Sequence, residues 1–192
     1  MRPTIFVSLT ALAEVLLARN PDPDEISRLD ECIQRRFLGI DTFGMRRVLP
    51  MEYHGVRVFQ PANPTELAVV ARLEQQHYEV VFYLAGRGVV TTTAPPLLGR
   101  RAGIQGPAFI TPRHGEFPQP DTLLADARRA LVSFQDSGGF DVQKAGWTVA
   151  MRPLRASKGA CLQCHTMAGA AGLQIGDPLG VAIYVYRPAS DH

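Results

Sequence analysis

The chain has 192 residues, 46% of them hydrophobic and 20% charged, with 20 Lys and Arg against 18 Asp and Glu. That is enough for one ordinary domain with a core, which excludes whole-chain disorder. A net charge of +2 gives neither a nucleic-acid footprint nor a polybasic membrane anchor, and no apolar run nears the roughly 18 residues of a membrane span.

Taken in order, residues 1–20 read as a weak export signal or an N-terminal helix: Arg2, then Ile5 to Ala13, with the small-residue spacing Ala11-Leu12-Ala13. Residues 21–192 read as a single domain. After the breaker Asn20 to Asp24, Asp24 can cap a helix from Glu25, with Ile26, Leu29, Ile33, Phe37 and Leu38 on one face. Asn63-Pro64-Thr65-Glu66 is a second helix start, with Asn as cap, Pro at N1 and Glu at N3. That helix runs to about Gln76. Tyr78 to Ala85 reads as a strand turned by Gly86-Arg87-Gly88, with Val89 to Thr93 as its return. Residues 94–120 read as loops around a short strand near Phe109. A third helix starts at Asp121, with Leu123, Leu124, Ala127, Leu131 and Phe134 on one face and Gly138-Gly139 beyond it. Gly146 to Leu154 and Gly180 to Tyr186 read as the last two strands, separated by a long insertion. Strands and helices interleave without βαβ repetition, which predicts an α+β fold on an antiparallel sheet.

The three cysteines are too few for a disulfide scaffold. Two of them stand in the insertion, which reads as a Gly/Ala-rich loop between the last two strands, as Cys161-Leu162-Gln163-Cys164-His165, the CxxCH pattern of c-type haem attachment. Two thiols at this spacing reach the two vinyl groups of one haem, and the next residue brings an imidazole under the iron. At this chain's own Cys and His frequencies the pattern arises by chance in about one chain in a thousand. The competing readings are a zinc site, for which no second CxxC or HxxxH supplies the remaining ligands, and a thioredoxin-like thiol pair, which belongs at a helix start in a βαβ unit. No catalytic triad, paired-carboxylate signature, P-loop or dinucleotide fingerprint is present.

Cys161 and Cys164 are therefore the expected thioether residues of one haem c, and His165 the proximal iron ligand. Candidates for the second axial position are Cys32, Met45, Met51, His54, His77, His114 and Met167. The odd cysteine, Cys32, leads and His54 is runner-up, because a leftover thiol in an exported protein needs explaining and thiolate binds ferric iron strongly. His192 is terminal. Arg152 and Arg155 are the nearest cations for haem propionates. Trp147, Met151 and Tyr184 are candidates for one apolar wall.

Residues 120–188 resemble the DUF3365 haem-domain family. The resemblance rests on Met151-Arg152-Pro153, the CLQCH run and Gly176-Asp177-Pro178-Leu179-Gly180 before the final strand; Arg46-Arg47 and Pro61-Ala62-Asn63-Pro64 with Glu66 echo a weaker upstream region, where Phe59-Gln60 replaces the family's arginine-asparagine pair. The resemblance implies a PAS-like antiparallel sheet flanked by helices, one c-type haem, and an N-terminal-helix cysteine opposite the motif histidine. The expected function is redox or ligand sensing, or low-potential electron transfer, through a redox or signalling protein partner and in a periplasmic or otherwise exported setting. The alternatives are a haem enzyme with an open distal position, such as a peroxidase or NO-handling protein, and a non-haem metal-binding interaction module.

Overall fold

The computed structural model describes residues 23–39, 52–53, 56–87, 97–98, 104–112, 115–167 and 172–189. The expected signal or helix at 1–20 and the strand at 89–93 lie outside them, as do Arg46, Arg47, Met45, Met51, His54, His114 and His192. Twelve elements run in chain order: α1 (Pro23–Leu38), β1 (Glu52–Tyr53), β2 (Val56–Val58), α2 (Pro64–Gln75), β3 (Tyr78–Arg87), β4 (Leu97–Leu98), β5 (Ile104–Phe109), α3 (Pro120–Ser133), β6 (Phe140–Lys144), β7 (Trp147–Arg155), α4 (Gly159–Met167) and β8 (Pro178–Pro188).

The sheet order is β1-β2-β5-β3-β8-β7-β6, with β4 paired to β3. Five strands, β5-β3-β8-β7-β6, make an antiparallel body. Counted in chain order among themselves, they run 2-1-5-4-3 across the sheet. This is the expected α+β, PAS-like arrangement of an antiparallel sheet with helices on its faces. The short β2 departs from it by pairing parallel to β5.

Both faces of the sheet are covered, which explains the composition of its central strands. Val80, Phe82 and Leu84 of β3 and Ala182 and Tyr184 of β8 face a cluster built by Ile26, Leu29, Cys32 and Ile33 of α1 with Val69, Val70 and Leu73 of α2. The alternate residues Val81, Tyr83, Val181, Ile183 and Val185 face Leu123, Ala127, Ala130, Leu131 and Phe134, from α3 and the turn after it. A strand buried on both sides must be apolar almost throughout. Each large side chain so buried contributes roughly 1.5–3 kcal/mol.

The helix starts follow capping chemistry. Asn63 Oδ1 accepts the Glu66 amide at 3.0 Å, and the Glu66 carboxylate accepts the Ala62 amide at 2.6 Å. Glu66 also pairs with Arg36, whose guanidinium lies 4.4 Å over the Phe59 ring, so one carboxylate fastens α1 to α2. Helix α1 starts at Pro23 rather than Glu25, with proline in the first turn. Its Leu38 is 47% exposed and leaves the stripe the spacing assigned it. Strand β3 continues through Gly86 and Arg87 instead of turning there, because β8 offers Gly180 opposite Gly86.

Candidate cofactor site

Cys161, Cys164 and His165 lie in the connection between the last two strands, as the spacing predicts. They are not in a loop. The run Gly159-Ala-Cys-Leu-Gln-Cys-His-Thr-Met forms α4, consistent with its content of Ala, Leu, Gln and Met. This removes one objection to a thioredoxin-like thiol pair. The other objection holds: β7 and β8, which flank α4, are antiparallel, whereas that reading needs a βαβ unit.

In helical register the three residues occupy positions i, i+3 and i+4, which share one face. Cys161 and His165 are half-buried, and the Nδ1 atom of His165 is buried. The Cys164 and Met167 side chains lie outside the described set. Leu162 is also half-buried, while Gly159, Ala160 and Gln163 are exposed, so none of the described side chains of α4 is a core residue. A free nine-residue helix is marginal in water and needs a packing partner. A large apolar group linked to this face would supply one, and two thiols with an imidazole are the donor types a c-type haem uses.

The Cys161 thiol is tuned by its position in the first turn of α4. Burial raises it, but the backbone amides of Ser157 and Lys158, the Ser157 hydroxyl and the Lys158 charge outweigh burial and hold it below its ordinary value. Ser157 Oγ lies 4.0 Å from Cys161 Sγ. A lowered thiol supplies more thiolate at neutral pH, the form that attacks an electrophile.

The insertion is pinched at its base. Ala156 donates its amide to Asp177 O at 2.9 Å, and Gly176 donates its own to Ala156 O at 2.8 Å. Arg155 crosses the same base, donating to Gly176 O at 3.0 Å, Phe134 O at 2.7 Å and Ser137 O at 3.3 Å. Lys158 Nζ donates at 3.0 Å to Leu38 O, the last carbonyl of α1, where a cation is favoured. The start of α4 is thus tied to α1 on one face of the sheet and to the end of α3 on the other.

Both arginines expected to serve propionates are engaged by protein acceptors. Arg155 bonds the three carbonyls just named. Arg152 pairs with Asp141 on β6; burial lowers its pKa, but the Asp141 pairing outweighs that and raises it. Cys32 is 3% exposed in the cluster beneath α1, and burial pushes its thiol up. His77 is exposed in the turn after α2, at φ 55°. Trp147 and Met151 do not share a wall with Tyr184: strand alternation puts the first two on the α3 face and Tyr184 on the α1 face. Tyr184 instead donates to Asp30 Oδ1 at 2.8 Å, beneath α1. Among the described residues, no group of three or more His, Cys, Asp and Glu side chains is set to hold a metal ion. Sequence reasoning missed Ser157, Lys158 and the Gln174–Asp177 turn; the Gly176-Asp177 pair was their only signal.

No protein-family model, curated protein or solved structure matches the chain.

Proposed function

We propose that this chain is a monohaem c-type protein of the DUF3365 kind, acting as a redox or ligand sensor or a low-potential electron carrier. The observation that carries the reading is CxxCH set in helical register on α4, a helix whose described side chains all lie outside the core. Cys161 and Cys164 would hold the group by thioethers, and His165 would bind iron from the motif side. When bound, the group supplies a one-electron redox centre whose potential follows its axial ligands and its exposure to water. The chain's own contribution is positional. Lys158 and Arg155 fix where α4 starts, and the Ser157 and Lys158 amides just ahead of the helix prepare the Cys161 thiol. Cys32 on α1 is the proposed opposite ligand, supported by the Lys158–Leu38 tie between its helix and α4.

Such a centre serves a partner, so a redox or signalling protein completes the reading, in the exported setting where haem c is normally attached. No described helix is long and apolar enough to cross a membrane.

The test is expression with a cytochrome c maturation system, followed by a pyridine haemochrome assay and a reduced-minus-oxidised spectrum. The expected result is one haem per chain, resistant to acid-acetone extraction and lost in the C161A/C164A double variant. Protein without a Soret band would overturn the reading and favour a non-haem interaction module.

A further inference from the structure

The return segment of the insertion is more tightly built than an open loop requires. Asp177 donates its amide to Gln174 O at 3.1 Å, which closes a β-turn over Gln174 to Asp177. Gly176 stands third in that turn at φ +97°, the sign a type II turn demands there. The Asp177 side chain accepts the Gln174 amide at 2.8 Å and locks the turn from outside. Ala156 and Arg155 add the three bonds to Gly176 and Asp177 already described. Five hydrogen bonds therefore hold a turn whose second residue, Ile175, is 56% exposed.

A second exposed apolar residue flanks the start of α4. Leu38 ends α1 and is 47% exposed, and its carbonyl receives the Lys158 ammonium. Ile175 and Leu38 are two of the five large hydrophobic side chains exposed among the described residues. Each stands at or next to a residue bonded to the 156–158 segment that launches the CxxCH helix. Single exposed hydrophobics are ordinary. A rigid turn that presents one, with another across the base of the cofactor helix and half-buried Leu162 on that helix, points to an apolar surface awaiting a cover.

We propose that Ile175 and Leu38 form an apolar rim of the cofactor site, covering the edge of the covalently held porphyrin and keeping water from it. This rests on the haem c reading of Cys161, Cys164 and His165, and it adds two residues that the motif does not contain. The rim's effect is dielectric. Water at the edge favours the more highly charged ferric state, so a dry edge raises the midpoint potential.

The test uses full-length protein matured with haem, as the single variants Ile175→Ser and Leu38→Ser. Both positions are exposed, so both variants should fold. A third variant, Val58→Ser, changes a 41% exposed residue of β2, three strands away from β8 in the sheet, and is the control. Expected are one haem per chain in all three, a lower midpoint potential in the two rim variants, and an unchanged potential in the control. In apoprotein expressed without maturation, binding of a hydrophobic dye should fall in the rim variants. Haem attached with potentials equal to wild type in both rim variants would overturn the rim and leave the haem reading standing. A wild-type chain that takes up no haem would overturn both.

Discussion

Two glycines of one short run, Gly176 and Gly180, are required for different reasons. At Gly180 the backbone is ordinary, but a Cβ would meet the Ala85 carbonyl oxygen at 2.5 Å, because β8 passes close to β3 there. The obstacle is backbone and cannot rotate away. Gly180→Ala should therefore cost roughly 1–3 kcal/mol, the range for overpacking a well-filled interior. At Gly176 there is open space, and only the positive φ opposes a side chain. Gly176→Ala should cost about 1–2 kcal/mol, the price of a left-handed residue. Urea unfolding of the apoprotein measures both. A Gly180→Ala midpoint equal to wild type would show that the two strands separate without penalty. The sequence shows both glycines as parts of a motif, but it cannot show their reasons: one depends on a strand some 95 residues away, the other on the angle of a single bond.

At the scale of elements, legibility followed local chemistry. Asn63 to Glu66 announces α2, and the structure starts that helix at Pro64 with the Asn63 cap in place. The alternation of Val181, Ile183 and Val185 against Ala182, Tyr184 and Tyr186 announces β8 and divides its side chains between the two faces as expected. Strand β6 was missed. Its hairpin to β7 turns on Ala145 and Gly146, both at positive φ, the geometry of a type I′ turn. Ala145 stands where Asn or Asp would signal that turn, so the local cue was absent. The same hairpin carries an acid-sensitive contact. Buried Asp126 of α3 pairs with Arg129 and, at 2.5 Å, with Lys144 at the end of β6. Burial raises the Asp126 carboxyl, but Lys144 and Arg129 outweigh it and hold it below its ordinary value. The folded protein then binds fewer protons than the unfolded chain over that interval. This stability is present above the ordinary aspartate pKa of about 3.9 and is lost as pH falls through the lower folded value. Asp126→Asn should lower stability at neutral pH by about 1–3 kcal/mol, less than the loss of a fully buried pair because both cations reach water. It should also flatten the acid limb of a plot of urea midpoint against pH. An acid limb as steep as wild type would remove Asp126 from the account.

The whole molecule is a sheet with unlike faces, and the segment that leads into α4 is tied to both. Lys158 fastens it to α1 and Arg155 to the end of α3. The sequence placed the CxxCH run between the right strands, yet these ties join residues separated by 120 and 21 positions and leave no local pattern. They also bear on the proposed second iron ligand, Cys32. Cys32 lies six residues before Leu38 on α1, about 9 Å along the helix axis at 1.5 Å per residue. Its thiol is buried beside Ile33 and Leu29, and in the apoprotein burial keeps it protonated. Iron binding would replace that proton. Thiolate donates electron density and favours the ferric state, so a Cys32 ligand predicts a low midpoint potential. Cys32→Ser should then shift the ferric Soret and visible bands and raise the potential. It should also cost about 1–2 kcal/mol in the apoprotein, because a hydroxyl in an apolar cluster lacks a ready partner. The stability loss is expected whether or not the thiol meets iron, so it cannot decide the question; the spectra of the matured protein can. Unchanged bands and potential in Cys32→Ser would return Cys32 to core packing. The distal position would then belong to His54 or stand open, and carbon monoxide binding to the reduced protein separates those two cases.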